Sequence, residues 1–211
     1  DMLENSQCLC ELASGRRLRL TTHHRTDQRL FDFYSRIDMR RGNICDWLEV
    51  APEQFPPTER LADTDLVISH KERLKINSAR NSAESKQISK LNCILVAAPK
   101  YCSARNAPQD MWVWPGLRLL GAGGACLNGC FYYVKDVNFE RITLTDGQQL
   151  ELQRASRCLR LSYAITYASC QGLTLHGVVR LHTHAFFTTR HLYVGASRAT
   201  AAELLEVVQP E

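Results

Sequence analysis

The chain has 211 residues, 45 % of them hydrophobic, which is enough for one full core or a core with a small appended module. Its 26 basic and 22 acidic residues leave a charge of +4, which permits a nucleic-acid partner without arguing for one. Its nine cysteines, an odd number with no Cys-x-x-Cys pair, exclude a disulfide scaffold and point to reduced thiols in an intracellular compartment.

The closest cysteine pairs, Cys8/Cys10 and Cys126/Cys130, and the histidines His182 and His184 have spacings that match no common zinc site, so no metal is expected. No apolar run approaches a membrane span and no signal peptide opens the chain, so no membrane partner is expected. Asp1 rather than Met stands first, as expected of a fragment or a processed product.

Asn5 to Leu20 mixes turn-forming and basic residues with one short apolar run, Leu18 and Leu20. Thr26-Asp27 then opens a helix. Thr26 suits the N-cap and Asp27 the first turn; Leu30, Phe31, Tyr34 and Ile37 share one face, and Arg40-Arg41-Gly42 ends it. Ala51 to Thr64 carries three prolines and reads as a linker. Leu66-Val67-Ile68 reads as a buried strand, and Ser69 with Glu72 forms a capping box for a helix through Asn77 and beyond. Asn81 to Lys90 is polar, an exposed loop or a helix end, and Asn92 to Ala98 reads as a further strand.

From Met111 the pattern changes to short apolar runs broken by Pro115-Gly116, Gly121 to Gly124, Asn128-Gly129 and Asp146-Gly147. Asp146-Gly147 joins Arg141–Leu144 to Gln149–Leu152 as a hairpin, so Met111 to Leu152 reads as a small β module. Trp112 and Trp114 fall on one strand face there and read as core. Helix and strand alternation resumes at Leu159, which makes the whole an α/β layer fold with a β insertion.

Two segments then stand out. Ala164 to Cys170 suits a helix with Gly172 as its stop, followed by a turn and a strand through Leu181. In Leu192 to Thr200, Tyr193, Val194 and Ser197 line one side of a helix and leave Arg198 at its end. Thr200 to Glu203 admits another capping box, and Leu204 to Val208 a terminal strand. Taken singly, each segment is also an ordinary piece of α/β structure with a surface arginine.

Together these segments resemble the last two motifs of superfamily 1 helicases. The fifth motif is usually Thr-x-His-Lys-Ser-Gln-Gly; Thr166, Gln171 and Gly172 match it, while Ala168, Ser169 and Cys170 replace His, Lys and Ser. Tyr193-Val194-x-x-Ser197-Arg198-Ala199 matches the sixth. More loosely, Leu20 to Asp27 with the helix behind it resembles the fourth motif, whose arginine falls at Arg25. Leu66 to Asn77 resembles the strand and helix that follow, closed by an asparagine. Trp114 to Leu119 and Leu127-Asn128-Gly129 resemble the entry to the SH3-like module of the RecD, Dda and PIF branch.

The resemblance implies a second RecA-like domain over residues 1–110 and 153–211, with the SH3-like module at 111–152. It implies that Arg198 and Arg25 face the γ-phosphate of ATP as arginine fingers, with Gln171 and Gly172 beside the nucleotide. Thr166, Ser169 and Thr174 would touch the backbone of single-stranded DNA, with one phosphate-pairing charge missing for want of the lysine. It also favours the terminal strand near Leu204. No Gly-x-x-x-x-Gly-Lys-Ser/Thr occurs in the chain, and no acidic magnesium pair follows a strand. ATP and Mg2+ would therefore be held mainly by a first, N-terminal RecA-like domain preceding Asp1. The expected whole is a DNA helicase motor of which this chain alone is inactive. The competing expectation is a non-catalytic interaction module derived from such a domain.

Overall fold

The computed structural model describes residue 11 and residues 25–38, 42–99, 108–184 and 186–209. The expectations placed on Cys8, Cys10, Leu18, Leu20 and Arg40-Arg41 lie outside these. The first half contains α1 (Gln28–Ser35), α2 (Ile44–Gln54), β1 (Thr64–Val67), α3 (His70–Ser85), β2 (Ile94–Val96), β3 (Met111–Val113) and β4 (Arg118–Gly121). The second half contains β5 (Phe131–Val137), β6 (Arg141–Leu144), β7 (Gln149–Glu151), α4 (Leu152–Cys158), β8 (Leu159–Leu161), β9 (Ala164–Thr166), β10 (Val179–His182), α5 (Thr189–Ala196) and β11 (Leu205–Val208).

A parallel sheet in the order β11-β10-β1-β9 is the centre of the α/β body. Side chains alternate across it with the two-residue period of a strand. Leu66, Val179, Leu181, Leu205 and Val207 enter one apolar core with residues of α1, α2 and α5. The intervening positions carry charge. Arg180 Nε donates to Glu206 Oε2 at 2.7 Å, and His182 Nε2 lies 2.7 Å from Asp65 Oδ1, whose other oxygen is 3.4 Å from Arg80 of α3.

Helix α3 covers this polar side with a polar stripe. Its buried residues are Arg73, Asn77 and Asn81, spaced four apart on one face. Asn77 Nδ2 donates to the carbonyls of Leu161 and Ala164, and Asn77 Oδ1 accepts from the Ala164 N–H. Asn81 likewise exchanges two hydrogen bonds with the backbone of Trp112, at 2.8 and 2.7 Å. Two side-chain amides thus tie α3 to both bodies of the chain.

The second body holds the β2-β3 pair and an antiparallel sheet in the order β7-β6-β5-β4-β8. Its core takes in Ile94 and Val96 ahead of Met111, and Leu159 and Leu161 beyond Leu152. The β body is therefore wider than Met111–Leu152, and Leu159 opens one of its strands. Arg118 fastens it to the α/β body: its guanidinium donates to the Asp63 and Ser162 carbonyls, Thr64 Oγ1 and Ser162 Oγ. The hairpin forms as the sequence predicts, with Gly147 at φ +89°. Its loop is Thr145–Gly147, closed by the Gly147 N–H on the Leu144 carbonyl.

Several local expectations are corrected. Asp27, not Thr26, caps α1, accepting from the Leu30 N–H at 2.7 Å. The buried face uses Phe33 in place of the expected Phe31. Residues 44–54 form a helix despite Pro52. Proline lacks the N–H that would bond the Leu48 carbonyl, and Gln209 Nε2 donates to that carbonyl instead, at 2.7 Å. Trp112 is 37 % exposed while Trp114 is 7 % exposed, so only Trp114 is core.

Candidate functional site

The segment expected to be a helix from Ala164 to Cys170 is instead strand β9 followed by a tight turn. Ala164, Ile165 and Thr166 are buried and pair with β1, leaving β9 at the sheet edge. At Thr166 the chain turns back: its carbonyl accepts from the N–H groups of Ser169 and Cys170, at 2.9 and 3.0 Å. Gly172, at φ +85°, allows the exit that a side chain would strain.

Within the turn the matched residues separate into two kinds. Thr166 is 3 % exposed, and its hydroxyl lies 2.8 Å from Ser169 Oγ. It also accepts from the Ser169 N–H. The exposed hydroxyl is that of Ser169, at the position where the helicase pattern has lysine; Ala168, Gln171 and Gly172 are exposed too. Thr166 positions Ser169. Cys170 faces inward, with its thiol on the Tyr167 carbonyl at 3.2 Å, and burial pushes that thiol up to about 12. Thr174 is half-buried beyond the turn.

Helix α5 brings Arg198 to this turn. Thr188 caps it by a reciprocal box with His191. Burial holds the His191 imidazole below its usual range. Past the helix end, Arg198 Nη1 donates to the Leu173 carbonyl at 3.3 Å, Nη2 to Ser197 Oγ at 2.9 Å and Nε to the Val194 carbonyl at 3.3 Å. The Leu175 N–H donates to the Arg198 carbonyl at 2.9 Å. The two motifs are therefore one hydrogen-bonded unit, with Arg198 fixed beside Gln171–Leu173.

Arg25 comes to the same place through Asp27. The Asp27 N–H donates to the Thr200 carbonyl at 3.1 Å, and Asp27 Oδ2 accepts from the Ala202 N–H at 2.7 Å. This clamp sets the entry of α1 against the segment just after Arg198. Burial first, and the Arg25 guanidinium second, hold Arg198 below the usual arginine range. Two cations brought into mutual range, one half-buried, make a place that favours an anion. The sequence marks Asp27 only as a first-turn residue and carries no signal that its second oxygen reaches Ala202.

Six cysteines are free thiols among the described residues. No group of three or more His, Cys, Asp or Glu that could hold a metal ion occurs among those residues. No described helix is long and apolar enough to cross a membrane.

No protein-family model matches the chain. No curated protein matches it either. Solved structures do. The chain is similar to Bacteroides Pif1 bound to single-stranded DNA, with a TM-score of 0.60 at 15 % identity over 90 % of this chain and 51 % of that one. It is similar to Bacteroides Pif1 in complex with ADP-AlF3 and single-stranded DNA, with a TM-score of 0.60 at 18 % identity over 90 % and 51 %. It is also similar to Pif1 helicase from Candida albicans, with a TM-score of 0.55 at 17 % identity over 86 % and 53 %. At these identities the likeness establishes the fold alone, a RecA-like α/β domain similar to that in the Pif1 structures. The chain spans about half the length of the structures it matches.

Proposed function

We propose that this chain is the second motor domain of a superfamily 1 DNA helicase, the half that supplies arginines to a nucleotide held by another domain. The observation that carries the reading is the placement of Arg198. It is tethered to the Leu173 carbonyl, within the turn that bears the other matched residues, and has Arg25 in electrostatic range. Such a permanently charged, fixed fork suits neutralisation of charge developing on a transferred phosphoryl group. The solved complexes of similar Pif1 chains with ADP-AlF3 or ADP-AlF4 and with single-stranded DNA support it.

The residues divide the work by position. Arg198 and Arg25 face the phosphates, with Gln171 and Gly172 beside them. Ser169, positioned by Thr166, offers its hydroxyl to a strand phosphate, with Thr174 further along the same path. ATP supplies the phosphoanhydride energy when bound, and a Walker-bearing partner domain holds most of it together with Mg2+. Closure of the two domains on the nucleotide and reopening after hydrolysis step the motor along the strand, as a hinge whose two states make different contacts.

The replacement of the usual lysine by Ser169 favours a second reading, a non-catalytic module that binds nucleic acid or protein. The clamp that Asp27 makes on Thr200 and Ala202, holding Arg25 near Arg198, favours the motor. The two are separated by ATP turnover. The purified chain alone should show none, and a longer form carrying a Walker lysine should show turnover stimulated by single-stranded DNA. Steady hydrolysis by the 211-residue chain would contradict the half-motor reading.

A further inference from the structure

Helix α2 carries four large apolar side chains, Ile44, Trp47, Leu48 and Val50, yet its one buried residue is Ala51. Ile44, Trp47 and Leu48 rest half-buried on the main core, and Val50 is 38 % exposed. An open groove of about 800 Å3 runs beside them, between α1 and α2. Phe33 and Trp47, in edge contact with ring centroids 5.4 Å apart, line its apolar part together with Val50. Its two rims differ in charge. The α1 side carries Arg29 and Arg36, with Asp32 between them accepting from Gln28 Nε2 at 2.7 Å. The α2 side carries Asp46, and the exposed Glu49 and Glu53 extend that rim along the helix. Helix α2 contains no basic residue. Helix α1 meets α5 through a different residue, Tyr34 on Tyr193 at 5.7 Å, so the groove lies apart from the Arg198 tether.

We propose that a second copy of this chain covers the groove, α1 of each copy packing on α2 of the other about a two-fold axis. A two-fold contact requires a patch that is complementary to itself. This one is: Arg29 and Arg36 are seven residues apart, as are Asp46 and Glu53, so each pair spans about 10.5 Å of helix. The basic rim of one copy therefore matches the acidic rim of the other at both ends, and does so twice in the pair. Trp47 and Val50 lie between the rims, the apolar centre and charged margin of an interface. A partner of single charge would match one rim and oppose the other. The inference does not depend on the motor reading, since it uses neither Arg198 nor the turn after β9.

The test is the mass of the 211-residue chain in solution, by sedimentation equilibrium at micromolar concentration. The wild-type chain should form a dimer that weakens as salt rises. Arg29→Glu with Arg36→Glu should weaken association by about a hundredfold, because like charges then face each other across both contacts. Glu49→Arg with Glu53→Arg should do the same. All four positions are exposed, and unchanged circular dichroism of each variant shows that the fold is kept. An equimolar mixture of the two variants should regain the dimer, since opposite charges meet again at both contacts; damage to the fold would not be repaired by mixing. Val50→Glu should also give a monomer, which neither variant rescues. A wild-type chain that stays monomeric would leave the groove to a helix of another protein and overturn the proposal. So would a dimer indifferent to the charge variants, or a mixture that stays monomeric.

Discussion

Asn77 and Ala164 hold each other as paired strands do. The amide of Asn77 donates to the Ala164 carbonyl at 3.0 Å and accepts from its N–H at 2.8 Å, just where β9 begins. The same amide also donates to Leu161, the last residue of β8. One buried side chain therefore satisfies the backbone at the point where the chain leaves the β body and enters the sheet edge that bears Thr166.

Replacing it should show that dependence. Asn77→Ala leaves two carbonyls and one N–H without their partner in a buried place, so unfolding free energy should fall by about 3 kcal/mol. Denaturant unfolding with an unchanged m-value checks this. A decrease smaller than about 1 kcal/mol would mean that the backbone groups find other partners.

Alkaline pH should weaken the fold through buried thiols. Both are taken as titrating at 9.0 when free; burial leads in raising Cys126 to about 11 and Cys170 to about 12. Below the free value both states keep the proton and nothing changes. Above it the unfolded chain releases protons that the folded chain retains. Stability thus falls as pH rises toward the folded values, by up to about 1.4 kcal/mol per pH unit per thiol. Urea unfolding at about pH 8 and about pH 10 measures the drop. Cys170→Ala should make it smaller.

The hairpin offers a local test. A Cβ at Gly147 meets nothing within 4 Å, so its cost is conformational alone, set by φ +89°. Gly147→Val should cost about 1–2 kcal/mol and raise hydrogen exchange over residues 141–151. Residues 164–208 should keep their protection. In the full-length protein, strand separation should suffer more than ATP hydrolysis. Equal reduction of protection in both bodies would make the hairpin part of one cooperative core.

How far the fold is legible in the sequence varies with the physics that sets each element. Alternation in Val179–His182 and the cap at Ser69 are local signals, and both elements form where expected. Helix α2 is hidden because Pro52 argues locally for a break, and the acceptor it orphans is satisfied from Gln209, far along the chain. The helix expected from Ala164 fails for a similar reason. Its propensity is helical, yet the β1 edge offers Ala164–Thr166 a parallel partner, and tertiary pairing wins. Arg198 stands out through its motif. The clamp from Asp27 to Ala202 depends on long-range packing that no spacing reports.

The most direct measurement is the turnover of ATP by the full-length protein carrying Arg198→Ala. Arginine fingers act on charge that develops only in the transition state, so the hydrolysis rate should fall by about 10³-fold or more. The affinity for ATP should change far less. Arg25→Ala should move in the same direction. Unchanged turnover in Arg198→Ala would reduce that residue to a structural tether of Leu173, and would contradict the assignment of this chain as the arginine-supplying half of a motor.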